Sequence, residues 1–106
     1  MFSPYWKDFM PKQKEGKIAR MLSDFNHDRD DPKYYLEVKY FNDENFIFIN
    51  RRSKPGMEKI CAIFEIEDFN IQLSNKSYES KKIEQIVLFL GNGKTVYLKD
   101  SGYEVE

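Results

Sequence analysis

The sequence predicts an α+β fold, because the spacing of its apolar residues changes once along the chain. Up to about residue 25, apolar side chains recur every three or four positions, as in helices. From about residue 34 they recur at every second position, as in strands. We therefore expect two N-terminal helices, at about residues 3–10 and 13–25. These helices should pack on a five- to six-stranded antiparallel meander sheet or a small curled barrel, at about residues 34–99.

Length and composition predict one domain, residues 1–106. A chain of 106 residues is long enough to bury a single core but leaves no room for two. The 41% of hydrophobic residues and 16% of aromatic residues argue against a disordered chain, because disordered chains are poor in both.

Two apolar stripes predict the helices. The first stripe consists of Phe2, Tyr5, Trp6, Phe9 and Met10. Pro4 suits a first helical position, and Pro11 is expected to end or kink this helix. The second stripe consists of Ile18, Met21, Leu22 and Phe25. Pro32 closes the helical part of the chain.

The remaining apolar segments predict the strands, at residues 34–41, 46–49, 59–66, 69–73, 86–90 and 95–99. In the segment 59–66, alternation places Ile60, Ala62, Phe64 and Ile66 on one face. Glu67-Asp68 is expected to break or bend the ladder after it. Gly91-Asn92-Gly93 is the strongest hairpin signal in the chain. Tyr103 and Val105 suggest a short additional edge strand.

Charge and cysteine content point to a cytoplasmic protein without a membrane segment. The net charge of −1 gives no support to a dedicated DNA-binding domain, which is usually strongly basic. The one cysteine, Cys61, cannot form an intrachain disulfide and suits a reducing compartment. No signal peptide and no apolar run of membrane-spanning length is visible. The abundance of Asn, Lys, Ile, Phe and Tyr suggests a bacterial or phage source with an AT-rich genome.

Two motifs resemble ligand-binding loops and lack residues that those loops require. Gly93-Lys94-Thr95 resembles the end of a phosphate-binding loop, but Leu88 stands where that loop needs glycine. The alternating acidic residues after Asp24 resemble a calcium loop, but Arg29 and Tyr35 replace its glycine and glutamate. We therefore predict no metal site and no cofactor. Cys61, in an apolar strand, is expected to be a buried structural residue.

The first functional hypothesis is a non-enzymatic protein-interaction module, such as a regulator, an inhibitor or an assembly subunit. It would bind a protein partner through an aromatic-rich surface, either the helical stripe or a sheet face or edge. The predicted partner-binding residues are Phe2, Tyr5, Trp6 and Phe9. The alternative for this stripe is packing on the sheet of the same chain. A homodimer is a further arrangement that such a surface allows.

The second hypothesis is a nucleic-acid-binding module that uses the basic loop 51–59. The predicted contacts are Arg51, Arg52, Lys54 and Lys59, which give this loop a charge of +3 together with one glutamate. Tyr35 and Phe41 are outward-facing aromatic residues that bases can stack on.

A third hypothesis is a small hydrolase or metal-dependent enzyme that uses His27, the only histidine, with nearby aspartates such as Asp24 and Asp28. No spacing of nucleophile, base or paired carboxylates supports it. We therefore expect no enzyme and assign no catalytic residue.

Overall fold

The computed structural model describes residues 5–29, 31–74 and 82–106, and for residues 5–12 it describes the backbone alone. Within these residues, one helix is followed by seven strands in two antiparallel sheets. The elements are α1 (Tyr5–Asp28), β1 (Tyr34–Phe41), β2 (Glu44–Arg51), β3 (Met57–Ala62), a 3-10 turn (Ile63–Glu65), β4 (Ile66–Leu73), β5 (Ile83–Leu90), β6 (Thr95–Lys99) and β7 (Gly102–Val105). The fold is therefore α+β, as predicted, with a different architecture.

The prediction of two helices is wrong, because α1 continues through Pro11. A proline inside a helix removes one hydrogen bond, here to the carbonyl of Lys7, and either kinks the helix or ends it. Pro11 is the seventh residue of α1, beyond the first four N–H groups that lack helical partners, so the helix continues past it with this one bond missing. The second apolar stripe is confirmed as core, since Ile18, Met21, Leu22 and Phe25 are all buried.

The prediction of a single five- to six-stranded meander or barrel is also wrong. The segment predicted as one strand to Ile66 is interrupted by the 3-10 turn, and the strands on either side belong to different sheets. The Glu65 carboxylate accepts the N–H of Ala62 at 3.0 Å and so stabilises this turn. The turn also reverses the predicted faces, because Ile63 is buried and Phe64 is 64% exposed.

Each sheet is a simple antiparallel meander. The three-stranded sheet has the order β1-β2-β3, and the four-stranded sheet has the order β4-β5-β6-β7. The β1–β2 turn places Asn42 and Asp43 at φ of 55° and 64°, as expected of a two-residue hairpin turn. The predicted hairpin after Leu90 is confirmed, with Gly93 at a φ of 85° that favours glycine.

The two sheets and α1 enclose one core. In the three-stranded sheet the buried cross-strand pair Leu36–Ile49 faces it, and in the four-stranded sheet the buried pair Ile86–Leu98 does so. The hydroxyl of Tyr34 also donates a hydrogen bond to the carbonyl of Lys99, which links the start of β1 to the end of β6. The opposite faces of both sheets point away from this core and are called the outer faces below.

The last turns of α1 cover the outer edge of β1. Asn26 Nδ2 donates to the carbonyl of Leu36 at 2.8 Å, and Asn26 Oδ1 accepts the N–H of Leu36 at 3.0 Å. Arg29 Nη2 donates to the carbonyl of Tyr34 at 2.6 Å. The Arg29 guanidinium lies 4.3 Å from the ring centroids of both Phe25 and Tyr34, as in a cation–π sandwich. Side chains of the helix thus take the place of a further strand at this edge.

The same end of α1 reaches the other sheet through Asp28. Its Oδ2 atom accepts the N–H of Ile83, the first residue of β5, at 3.1 Å. Asn26 and Asp28 are two positions apart, so one helical turn bonds to the backbones of both sheets.

We expect the substitution Asn26→Ala to lower the free energy of unfolding by about 2–3 kcal/mol, since it leaves both backbone groups of Leu36 without partners. Urea unfolding followed by circular dichroism measures this. Asn50→Ala is the matched control, because the Asn50 amide donates only a long 3.5 Å bond to Glu37, and we expect a change below about 0.5 kcal/mol. Equal losses for the two variants would contradict this role of Asn26.

Candidate protein-binding face

The outer face of the three-stranded sheet carries aromatic residues where an antiparallel sheet usually presents polar ones to water. Along β1 and β2, the residues that face the core alternate with those that face outward. The outward aromatic residues and the outward methionine of β3 are called the aromatic face. Its members are Tyr35, Phe41, Phe46, Phe48 and Met57.

Phe46 and Phe48 form the centre of the aromatic face, because β2 is the middle strand of its sheet. Their rings make an edge-to-face pair, with centroids 6.5 Å apart and an interplanar angle of 64°. Both side chains are only half-buried, whereas Ile47 and Ile49 on the other side of the same strand are buried. Phe41, at the end of β1, is 63% exposed. The centre and one end of this face therefore offer apolar area to a partner.

Lysine side chains flank the two central rings. Lys59 Nζ lies 4.8 Å from the centroid of the Phe46 ring, within the range of a cation–π contact. Lys39 is the cross-strand neighbour of Phe46 and is exposed. Glu37 and Glu44 lie on the same face, opposite Phe48 and Phe41 respectively. The face is thus apolar at its centre and carries charges of both signs around it.

The two predicted nucleic-acid-binding arginines are both paired with carboxylates. Arg51 Nη1 lies 2.8 Å from Glu58 Oε2, and Arg52 Nη1 lies 3.1 Å from Asp31 Oδ1. Arg52 Nη2 also donates to the hydroxyl of Tyr35 at 2.6 Å. Glu58 is already counted in the predicted charge of +3, so the pairing with Asp31 lowers it to +2, which Lys54 and Lys59 carry.

Arg51 belongs to a small cluster that joins the two sheets. The hydroxyl of Tyr103, in β7, donates to Glu58 Oε1 at 2.7 Å, and the Arg51 guanidinium lies 5.8 Å from the Tyr103 ring centroid. The hydrogen bonds from Arg51 and Tyr103 lower the pKa of the Glu58 carboxyl. Lys54 lines a cavity of about 380 Å³ beside Arg51 and Glu58. The side chains of Arg51 and Glu58 thus connect the two sheets through Tyr103, while Lys54 lies beside them at the cavity.

The predicted aromatic stripe is not part of the face described above. Phe2 lies outside the described residues, and so do the side chains of Tyr5, Trp6 and Phe9, whose backbone belongs to α1. Their role as docking residues stays a prediction.

His27 and its neighbouring aspartates lie at the C-terminal end of α1. His27 and Asp24 are exposed, and Asp28 accepts the N–H of Ile83, as described above. Among residues whose side chains are described, no three His, Cys, Asp or Glu side chains converge on one point. Cys61 is buried and unpaired, which confirms its predicted place in the core.

Sequence reasoning identified Tyr35 and Phe41 as outward-facing but missed Phe46 and Phe48. The segment 46–49 is apolar on both faces, which is typical of a central strand. The strand is central in its sheet, but only its isoleucines are fully buried. The available signal was the strict alternation of Phe with Ile, which assigns the two residue types to opposite faces.

Comparisons of the chain with known protein families, with curated proteins and with solved structures find no match. Across the described stretches of the chain, the one helix is too polar to cross a membrane. A functional assignment therefore depends on the geometry of the two sheets.

Two buried groups predict a loss of stability at alkaline pH. Burial raises the pKa of the Cys61 thiol from 9.0 to about 12, with a smaller contribution from Glu65, and burial raises the pKa of Tyr34 from 10.0 to about 12. The unfolded chain loses these protons at lower pH than the folded one. The free energy of unfolding should therefore fall from about pH 9 and continue falling towards pH 12.

The substitution Cys61→Ala should delay the start of this fall by about one pH unit, because the groups whose raised pKa still contributes are then tyrosines, Tyr34 above all. Urea unfolding between about pH 7 and 11, with a reducing agent present, measures the effect as a slope of up to about 1.4 kcal/mol per pH unit for each group. Parallel curves for parent and variant above about pH 9 would show that Cys61 does not contribute.

Proposed function

We propose that this chain is a non-enzymatic protein-binding module, a regulator, inhibitor or assembly subunit, that docks its partner on the aromatic face. The observation that carries this proposal is the half-exposed pair Phe46 and Phe48 at the centre of the three-stranded sheet. Large aromatic side chains at the centre of a patch are typical anchors of protein interfaces.

The surroundings of the pair favour a protein surface as the ligand. Phe41 and Met57 extend the apolar area towards two borders of the sheet, and methionine is enriched at such interfaces. Lys39, Lys59 and Glu37 supply charges of both signs, which suits the mixed polar rim of a protein interface. The antiparallel strands also hold the anchors rigidly, so little side-chain ordering is needed on binding.

We propose a cytoplasmic location for this module. Its single cysteine is buried and free, and the core is held by packing and hydrogen bonds. Such a protein folds readily under reducing conditions.

Single-stranded nucleic acid is a second candidate ligand for the same face. The observation that favours it is the position of Lys59 over the Phe46 ring, with Lys39 beside it on β1. Bases can stack on the two phenylalanines while the lysine ammonium groups contact phosphates. In this arrangement Lys39 and Lys59 contact the phosphates, whereas Arg51 and Arg52 stay paired with Glu58 and Asp31.

A photo-crosslinking phenylalanine analogue at position 46 should form a discrete protein adduct in an extract of the source cells, because the aromatic face contacts the partner. The matched control carries the analogue at Phe89, which is 40% exposed on the outer face of the four-stranded sheet. Mass spectrometry of the adducts identifies the crosslinked protein.

Unlabelled parent protein should compete the adduct away, whereas the variant with Phe46→Ala and Phe48→Ala should compete about tenfold more weakly or worse. Identical adducts from positions 46 and 89, or equal competition by parent and variant, would contradict docking on this face.

A nucleic-acid ligand predicts different behaviour. Binding of fluorescent single-stranded oligonucleotides, followed by anisotropy, should weaken steeply as salt is raised. The double variant Lys39→Gln, Lys59→Gln should weaken binding and reduce the slope of the logarithm of affinity against the logarithm of salt concentration by up to about two. The control Lys94→Gln, in the exposed β5–β6 turn, should change neither the affinity nor the slope. If the parent shows no salt-dependent binding, the nucleic-acid candidate is wrong.

A further inference from the structure

The four outer edges of the two sheets differ in how they are protected. An unprotected edge strand presents unpaired N–H and C=O groups that can pair with another chain. The edge of β1 is covered by Asn26 and Arg29. The edge strand β3 carries charges at Glu58 and Lys59 and an irregular register opposite Ile47 and Phe48. The edge strand β7 has only four residues. These are devices that natural sheets use against edge-to-edge pairing.

The remaining edge strand, β4, lacks such protection over most of its length. The register of β4 with β5 shifts between Ile66 and Asp68 and again between Gln72 and Leu73, but it is regular between these points. The residues 69–73 carry no charge. Ile71 is 38% exposed and Leu73 is 47% exposed. Among the described residues, no other element donates or accepts a backbone hydrogen bond at this outer edge.

Two hydrogen bonds show which backbone groups of β4 face outward. The N–H of Ser74 donates to the carbonyl of Lys82, so it points towards the β5 side. The N–H of Phe69 donates at 2.8 Å to the carboxylate of its neighbour Asp68. Since outward groups alternate along an antiparallel strand, Phe69, Ile71 and Leu73 present theirs to the free edge.

We propose that β4 pairs with β4 of a second copy of this chain, antiparallel and centred on Ile71. In this register Phe69 faces Leu73 of the other copy, and Ile71 faces Ile71. The outward groups of these residues form about six inter-chain hydrogen bonds, for which each Phe69 N–H leaves the Asp68 carboxylate and donates to the Leu73 carbonyl of the other copy. The two four-stranded sheets then become one continuous sheet.

The side chains of β4 are self-complementary in this register. Every pair on the core-facing side is apolar, while Asn70 meets Gln72 of the other copy on the outer side. Asp68 lies opposite Ser74, so the carboxylates at the start of the strand are kept apart by the antiparallel direction. A parallel pairing would place these like charges next to each other. The stretch 69–73 of β4 is thus complementary to itself, and it carries no charge that would require an oppositely charged partner. This self-complementarity identifies a second copy of the chain as the partner strand.

The interface made by one strand pair is smaller than the roughly 1,600 Å² of a typical stable complex. We therefore expect a dimer that dissociates on dilution. The apparent mass in sedimentation experiments should rise from 12.7 kDa in dilute solution towards twice 12.7 kDa as the concentration increases.

Charges at position 71 test the register directly, because this residue meets its own copy on the two-fold axis. The variants Ile71→Lys and Ile71→Glu should each weaken self-association by about tenfold or more, since like charges then face each other. An equimolar mixture of the two variants should form a heterodimer. Labelling one variant with heavy nitrogen, because Lys and Glu have nearly the same mass, lets native mass spectrometry distinguish this heterodimer from either homodimer.

Val105 provides the matched control, because it is 48% exposed on the opposite edge strand of the same sheet. The variants Val105→Lys and Val105→Glu should dimerise like the parent, alone or mixed. Circular dichroism reports whether the Ile71 variants are folded. If they are not, Leu73→Lys, at a more exposed position, should weaken the dimer by removing both Phe69–Leu73 contacts.

Three results would overturn the proposal. The first is a parent mass of 12.7 kDa at every concentration, which leaves this edge to a strand from another protein or to none. The second is a folded Ile71→Lys variant that associates as strongly as the parent. The third is the absence of any gain when the Lys and Glu variants are mixed.

Discussion

One turn at the C-terminal end of α1 holds the two sheets around a common core. Asn26 bonds to both backbone groups of Leu36 in one sheet, and Asp28 accepts the N–H of Ile83 in the other. Both contacts are local in the helix but join strands that are far apart in sequence, and neither sheet alone encloses the buried stripe of α1. The fold therefore depends on hydrogen bonds that a short polar helix end makes to strand backbones, in addition to apolar packing.

This arrangement determines which surfaces remain open. The helix packs against the inner side of the sheets and fills the edge of β1, so it cannot also cover the outer face of β1, β2 and β3. The described residues therefore leave the aromatic face partly accessible. At the other sheet the helix end bonds to the start of β5, and the edge of β4 receives no backbone bond from any described part of the chain. The two proposed contacts thus result from the limited reach of a single helix.

The sequence predicted the α+β class, most strands and the hairpin after Leu90, because these follow from local periodicity and turn chemistry. It failed where two local rules gave competing outcomes. Pro11 can either end or kink a helix, and packing beyond its own turn decides between these. At Ile63 the two-residue rhythm continues through the sequence, yet the Glu65 carboxylate caps a turn there and exchanges the faces of Ile63 and Phe64. Only the burial of Ile63 in the folded protein distinguishes this turn from a continuing strand.

The same limit applies to the binding surfaces. Alternation of Phe and Ile along β2 assigns the aromatic rings to one face, but whether a second layer covers that face depends on where α1 and the four-stranded sheet pack. Which strands lie at an edge likewise follows only from the strand order, so the sequence alone does not show that β4 is free to pair with a second copy.

The aromatic face and β4 lie on different sheets. A dimer formed through β4 therefore leaves both aromatic faces free, and a partner with two docking sites would bind the second by an intramolecular step with high effective concentration. Weak self-association at one edge is in this way sufficient to strengthen binding at a distant face without any additional contact.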